Sequence, residues 1–328
     1  MSKLNLSFAC APYDRIFPLI NGLISPEGIQ LIYLPLEVEE IFWRQLRHQE
    51  FDISEMSLSS YIISISYNDE RFIAIPVFTS RMFRHSCVFV NSKIETPEDL
   101  KGKIVGVPEY QLTAIVWMRG ILQHEYGIHP SEIHWRYGGL ETPGREEKVK
   151  IELPHDIDYK PIPQNRTLSE MLEKGEIDAI IAPRKPSCYI KGSSGVKRLF
   201  ENYKQVEREF YTKTQIFPIM HTIVIKRSIY KAHPWVANSL YKAFLKSKEI
   251  CLTNLKKVNA LHAMIPWLNA EVEETIKLMG EDYWQYGIEK NLKTIETLCQ
   301  YSFEQGLAKR RVSIDELFAR ETFDAYKV

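Results

Sequence analysis

The sequence predicts an α/β protein built as two lobes, and three observations carry that expectation. Its 328 residues amount to about two domains at roughly 150 residues each. Short β-prone runs alternate with segments of helical spacing, the pattern of a mainly parallel sheet faced by helices. The alternation then restarts at Thr96-Pro-Glu-Asp-Leu-Lys-Gly-Lys103, as a second sheet requires.

In chain order, Leu4 to Ala11 is apolar and β-prone, and Asp14-Arg15 opens a helix through Leu19 to Leu23. Ile29 to Leu34 is a second strand, halted by Pro35. Val38, Ile41, Phe42 and Leu46 fall at helical spacing, with Glu39, Glu40, Arg44 and Arg47 on the other face. Phe51 to Met56 reads as a strand, Ser57 to Ser66 as a helix, and Phe72 to Phe78 and Cys87 to Val90 as strands. After the restart, Ile104 to Val107 is a strand and Leu112 to Glu125 a helix stopped by Gly127. Tyr137 to Pro163, rich in Gly, Pro and charge, reads as a long irregular connection. Leu168, Met171 and Leu172 mark a short helix ending at Gly175, Ile177 to Ala182 a strand, and Ile219 to Ile225 another. From Ser228 onward the spacing is helical. Lobe I is thus expected over 1–92 and 222–328, with the C-terminal helices packed on it, and lobe II over 93–221. In open α/β sheets ligands lie beyond the carboxyl ends of the strands, so a central cleft between the lobes is the expected site.

Composition narrows the function. Lys plus Arg and Asp plus Glu are 42 each, so no long-range field gathers nucleic acid or an acidic membrane. The five cysteines are far apart and form no C-x-x-C, which suggests neither a zinc site nor a disulfide framework. His124, His129 and His134 recur every five residues, a spacing that does not align them on one helix face, so no metal site is assigned. No apolar run approaches the ~18 residues of a membrane span, and the N-terminal residues do not form a secretory signal. The expectation is a cytoplasmic protein with no nucleic-acid or membrane partner. Cytoplasmic enzymes of this size often self-associate, so a homo-oligomer is in keeping with it.

Residues directly after strands are the candidates for chemistry: Tyr13, Asp14 and Arg15; Glu55, Ser57, Ser59 and Ser60; Arg81, Phe83, Arg84 and His85; Glu109, Tyr110 and Gln111 before a helix; Arg184; and His221. Asp14 serves equally well as a helix cap. The serines suit a helix start, and one of them suits a carboxylate ligand. Two arginines and a histidine within five residues beside a buried strand are costly unless they are used or paired. The free N–H groups expected at Tyr110–Gln111 favour an anion.

Several segments resemble a known family. Ser25-Pro-Glu-Gly-Ile29, Glu50-Phe-Asp-Ile-Ser-Glu-Met-Ser-Leu-Ser-Ser60, Arg81-Met-Phe-Arg-His-Ser86, Gly106-Val-Pro-Glu-Tyr-Gln111, Phe217-Pro-Ile-Met-His-Thr222 and Ala232-His-Pro-Trp-Val-Ala-Asn-Ser-Leu-Tyr241 resemble 4,5-dihydroxyphthalate decarboxylases nearly end to end. More broadly, Leu100-Lys-Gly-Lys103 and Gly175-Glu-Ile-Asp178 are similar to type II periplasmic-binding-protein folds.

The resemblance implies a carboxy-lyase that removes CO2 from 4,5-dihydroxyphthalate to give 3,4-dihydroxybenzoate. A cationic clamp for two carboxylates falls to Arg81 or Arg84, with Arg184 and the helix start at Tyr110–Gln111. His85 or His221 is the ring-protonating acid, because imidazole titrates near neutrality. Glu109 or Asp14 accepts the phenolic proton, and Phe83, Tyr13 and Tyr110 flank the ring. Arg15, Ser57 and Ser59 complete the substrate contacts. The partner is then a small aromatic carboxylate. No organic cofactor is needed because the ring is its own electron sink, and a metal on the catechol oxygens stays open. The alternatives are a solute-binding protein for a small aromatic carboxylate, and a dehydratase acting on a cyclic carboxylate.

Overall fold

The computed structural model describes residues 3–149 and 151–323. The chain begins with β1 (Leu4–Ala9), a 3-10 turn at Asp14–Ile16, α1 (Phe17–Ile20), β2 (Ile29–Leu34), α2 (Val38–His48), β3 (Ile53–Ser57), α3 (Leu58–Ser66) and β4 (Phe72–Arg81). Then follow β5 (Val88–Asn91), β6 (Ile104–Val107), α4 (Thr113–Tyr126), β7 (His134–Tyr137), β8 (Tyr159–Pro161), α5 (Leu168–Glu173), β9 (Ala179–Ile181), α6 (Ser187–Ile190), β10 (Val196–Arg198) and α7 (Tyr203–Thr214). The chain closes with β11 (Ile219–Lys226), α8 (Arg227–Ala232), α9 (Trp235–Leu255), α10 (Leu268–Met279), α11 (Leu292–Glu304) and α12 (Ile314–Leu317).

These elements form two compact units. The first holds the chain through Arg81, Ile219–Glu296 and the segment from Val312 onward; the second holds Met82–Pro218 and Thr297–Arg311. Residues 82–92 therefore lie in the second unit rather than the first, because β5 hydrogen-bonds to β9 and β10 of that unit's sheet. Residues 297–311 also cluster with the second unit, whereas α9 and α10 belong to the first.

The first unit's sheet has the order β2-β1-β3-β11-β4. Strands β1, β2 and β3 are parallel, as the alternation predicts, but β11 runs antiparallel to both β3 and β4. A strand that returns from far along the chain needs no crossover helix, so its direction is not read from local alternation. Strand β3 is buried at every position, and α2 covers one face through Ile41 and Phe42, which pack with Ala9 and Phe51. The 21-residue α9 packs against the 3-10 turn and α1; its Phe244 meets Phe8 edge-on at 5.7 Å.

The second unit's sheet has the order β10-β5-β9-β6-β7-β8. Its core gathers Phe89, Leu168, Leu172, Ile177, Ile180 and Cys188. The connection expected to be irregular from Tyr137 to Pro163 contains β8, which pairs in parallel with β7. Two helix starts also differ from expectation. Asp14 is not the cap: the capping position belongs to Tyr13, Asp14 is the first residue of the 3-10 turn with its carboxylate accepting the Arg15 N–H at 2.7 Å, and α1 spans only Phe17–Ile20 before the turn at Gly22, whose φ is +79°. Helix α4 begins at Thr113 with Leu112 as its cap. All five cysteines are buried and free.

Candidate active site

A charge inside an apolar strand is costly unless donors surround it, and Glu55 of β3 is such a charge. Its side chain is fully buried. Oε1 accepts from His221 Nδ1 at 2.7 Å, from the Tyr13 hydroxyl at 2.8 Å and from Thr79 Oγ1 at 3.0 Å. Oε2 accepts from the Ala11 N–H at 3.3 Å and from Cys10 Sγ at 3.6 Å. Burial pushes the Glu55 carboxyl upward, but the charge and hydrogen bond of His221, then the bonds from Tyr13 and Ala11, outweigh it and hold it below its usual value. Burial and then Glu55 raise the Tyr13 hydroxyl well above its ordinary range, so Tyr13 stays a donor.

His221 reaches this carboxylate because β11 lies beside β3, with His221 opposite Ser57. Phe42 holds the imidazole from the side, ring centres 4.8 Å apart at 79°. An ionised carboxylate has no proton to give, so His221 Nδ1 carries the hydrogen. Nε2 is then the working nitrogen: a lone pair when the ring is neutral, an N–H when it is charged.

Beside this dyad stands Arg15. Its guanidinium lies 4.0 Å from the Tyr13 ring centre and 4.3 Å from that of Trp284, so two aromatic faces fix its plane. Nε donates to the Thr79 carbonyl at 2.5 Å and Nη1 to Asp14 Oδ1 at 3.0 Å. Ser247 of α9 anchors the same residue by donating to the Arg15 carbonyl at 2.8 Å. Among the described residues, the Arg15 side chain donates to protein from Nε and Nη1. The expectation that Tyr13 flanks a substrate ring is thus modified: Arg15 covers one of its faces.

Tyr13, Asp14, Arg15 and His221 are therefore brought together in the first unit. Asp14, 45% exposed, lines with Tyr13, Cys251 and His262 a cavity of about 360 Å³. Ser57 caps α3, accepting from the Ser60 N–H at 3.4 Å, the helix-start role. Ser59 is fully buried in that helix. Arg81 is buried at the end of β4 and donates to the Gln285 carbonyl at 2.9 Å, engaged within its own unit.

The remaining candidates lie in the second unit. Phe83 stacks on Phe217 at 4.8 Å and meets Phe210 and Tyr211 edge-on. Arg84 is buried with Nη1 3.7 Å from Cys87 Sγ. His85 is 1% exposed, and burial lowers it to about 4, so it is neutral near pH 7 and poorly suited to be the acid. Glu109 is buried and ion-paired to Arg145 at 2.6 Å and to Lys148 at 2.5 Å, a carboxylate already occupied by two cations. Tyr110 and Gln111 are buried; the Tyr110 N–H donates to Glu147 at 2.5 Å, so the chain's own carboxylate takes the place expected for an anion. Arg184 is exposed in the turn after β9.

The sequence places Glu55 among the candidates after strands but gives it no part in the chemistry. The signal for Glu55 was there, a carboxylate within an otherwise strand-like run. Phe42 read as core, and Trp284 had no signal, since it meets Arg15 only through the tertiary fold. Among the described residues no three His, Cys, Asp or Glu side chains converge on a point that could hold a metal ion.

No protein-family model matches the chain. It is 41% identical over 330 residues to the 4,5-dihydroxyphthalate decarboxylase of Comamonas testosteroni, covering 100% of both chains. It is 44% identical over 213 residues to that of Pseudomonas putida, spanning 64% of this chain and 83% of the relative. Among solved structures, the periplasmic aliphatic sulphonate binding protein SsuA of Escherichia coli superposes with a TM-score of 0.54 at 13% identity, over 98% of this chain and 99% of that one. The ligand binding component of an ABC-type import system from Staphylococcus aureus gives 0.53 at 10%, over 99% and 100%. Likeness at such identities speaks to fold alone, and the fold is the type II periplasmic-binding-protein fold. With an identity of 41% extending over the whole of both chains, the chain belongs to the 4,5-dihydroxyphthalate decarboxylases, a family of carboxy-lyases.

Proposed function

We propose that this chain decarboxylates 4,5-dihydroxyphthalate to 3,4-dihydroxybenzoate and CO2 without oxidation. The observation that carries the reading is the Glu55–His221 pair at 2.7 Å with Arg15 fixed beside it, in a family whose relatives bear that activity in their names.

The chemistry follows from the substrate. The departing carboxylate is para to a hydroxyl. Loss of the phenolic proton pushes an electron pair onto the ring carbon that bears CO2⁻, and that carbon takes a proton from an acid. The resulting dienone breaks its C–CO2 bond, and the released pair restores the aromatic phenolate, which regains its proton. The balance is one proton consumed and one CO2 released.

In this reading His221, as imidazolium, donates from Nε2 to the ring carbon, and buried Glu55 stabilises that cation and fixes its orientation. Arg15 holds a substrate carboxylate through its guanidinium. Asp14, exposed beside Arg15, accepts the phenolic proton. Glu109 suits that task less, since it is buried and paired with two cations, Arg145 and Lys148, whereas Asp14 is exposed and, among the described residues, ion-paired with Arg15 alone.

The test is incubation of the purified protein with 4,5-dihydroxyphthalate, with and without a chelator, following CO2 and the aromatic product. One CO2 per 3,4-dihydroxybenzoate supports the reading. Tight binding with no CO2 would instead support a solute-binding protein, and a different product would point to another reaction such as dehydration.

A further inference from the structure

Strand β4 does not pair evenly with β11. Ile75 faces Ile223 and Ser80 faces His221, so residues 76–79 lie opposite Thr222 alone and bulge out of the ladder. Bulges re-aim side chains and tend to occur beside active sites. A bulge also leaves carbonyls without ladder partners, and here each finds a donor elsewhere. Thr222 Oγ1 shares its one hydrogen between the Ile75 and Val77 carbonyls, at 3.0 and 3.3 Å. The Gly287 N–H donates to the Pro76 carbonyl at 2.9 Å. Trp284 Nε1 donates to the Phe78 carbonyl at 2.9 Å, and Arg15 Nε to the Thr79 carbonyl at 2.5 Å.

The bulge therefore seats both Arg15 and Trp284, the aromatic that stacks on it. Thr79 has a second bond in the other direction, its hydroxyl donating to Glu55 Oε1. It is fully buried, so the bond from its hydroxyl does not compete with bulk water. One residue joins the guanidinium to the carboxylate that orients His221.

We propose that the β4 bulge is a spacing device and that Thr79 is its positioning residue, holding Arg15 in register with the Glu55–His221 dyad. This rests on the reading of Arg15 and His221 given above. Thr79 touches neither substrate nor reacting atom in that scheme; it acts through Glu55 and Arg15. The titratable and charged groups around Glu55 are His221 on β11, Tyr13 and Cys10 after β1, Tyr33 on β2, and Arg15.

Thr79→Val keeps the shape and the carbonyl but deletes the hydroxyl. The expected result is a fall in kcat of about tenfold, the size of one lost bond to a charged group, with KM little changed because the Arg15 seat survives. Glu55, with one donor fewer, leans harder on the His221 N–H, so the imidazole titration followed by NMR moves to higher pH by about half a unit or more. Thr79→Ser restores both values. A merely structural Thr79 would lower the melting temperature without moving that titration. An unchanged kcat and an unchanged His221 titration in Thr79→Val overturn the proposal, as does a folded Thr79→Ser that rescues neither. If the wild-type protein releases no CO2, the decarboxylase reading falls, and the imidazole titration alone then decides the part of Thr79. Should Thr79→Val not fold, Thr79→Ala is read in the same way.

Discussion

His221 and Glu55 are 166 residues apart in sequence, yet Nδ1 of the one lies 2.7 Å from Oε1 of the other. The same oxygen also accepts from Tyr13 and Thr79, so the carboxylate is charged and its bonds all point inward. A buried anion held this way fixes Nδ1 on the carboxylate and faces Nε2 away from it.

Removing the imidazole tests that pair directly. His221→Asn is expected to lower kcat by about 10²–10⁴-fold, the usual worth of a positioned general acid, with a smaller effect on KM. Glu55→Gln keeps the size but removes the charge that stabilises the imidazolium, and kcat is expected to fall in the same direction. CO2 release at saturating 4,5-dihydroxyphthalate is the measurement; wild-type turnover in His221→Asn would remove it from the mechanism.

Arg15 is predicted to tolerate no lysine. A lysine keeps the charge but loses the flat face between Tyr13 and Trp284 and the Nε bond to Thr79. A lost bond to a charged group is worth about 1.5–3 kcal/mol, so Arg15→Lys should raise KM by about 10- to 150-fold. Substrate titration by calorimetry checks it, and an unaltered affinity would mean the carboxylate binds elsewhere.

Acid stability turns on two groups in the second unit, buried His85 and partly buried Glu207. His85 Nδ1 lies 4.0 Å from Glu207 Oε1, and burial lowers His85 from 6.5 to about 4 while it raises Glu207 from 4.5 to about 7. Glu207 contributes stability at low pH that is lost as pH rises through about 7. His85 contributes above its ordinary 6.5, and that contribution is lost as pH falls toward about 4. Across the shared window the two slopes oppose and nearly cancel. Relative to wild type, Glu207→Gln should lose melting temperature as pH drops from 6.5 to 4.5, and His85→Gln should lose it as pH rises from 4.5 to 7. Melting curves recorded across that range check the signs; three parallel profiles would refute both.

Gly120 presents a packing test. A Cβ added there would lie 1.9 Å from Tyr301 Cδ2, and Tyr301 is itself held edge-on by Trp117 and stacked on His124. Alanine in mid-helix normally gains about 1 kcal/mol over glycine, but overpacking costs about 1–3 kcal/mol. Gly120→Ala is therefore expected to lower the melting temperature, against the helix-propensity trend; a rise would show that Tyr301 moves aside freely.

Much of the fold was legible. The apolar face of α2 and the parallel β1, β2 and β3 follow from local periodicity, and Gly127 ends α4 in a left-handed turn with φ +65°. The boundaries between the units were less so. Strand β5 looked like the end of the first sheet because it follows β4 closely, but its backbone bonds go to β9 and β10. The candidate site was half legible. Tyr13, Arg15 and His221 were named from their places after or within strands, whereas Tyr110, Gln111 and Glu109 proved to be buried among the chain's own ionic partners.

What the sequence determined by itself is what neighbouring residues impose: the order of strands and helices, the neutral net charge, and the residue types available for acid–base and carboxylate chemistry. Which of those residues meet was decided by the tertiary structure. The antiparallel return of β11 beside β3 brings His221 to Glu55, and the β4 bulge sets Thr79 between Glu55 and Arg15. Backbone pairing between distant segments carries no local periodicity, since it depends on which strand edge is left to be satisfied when the sheet closes.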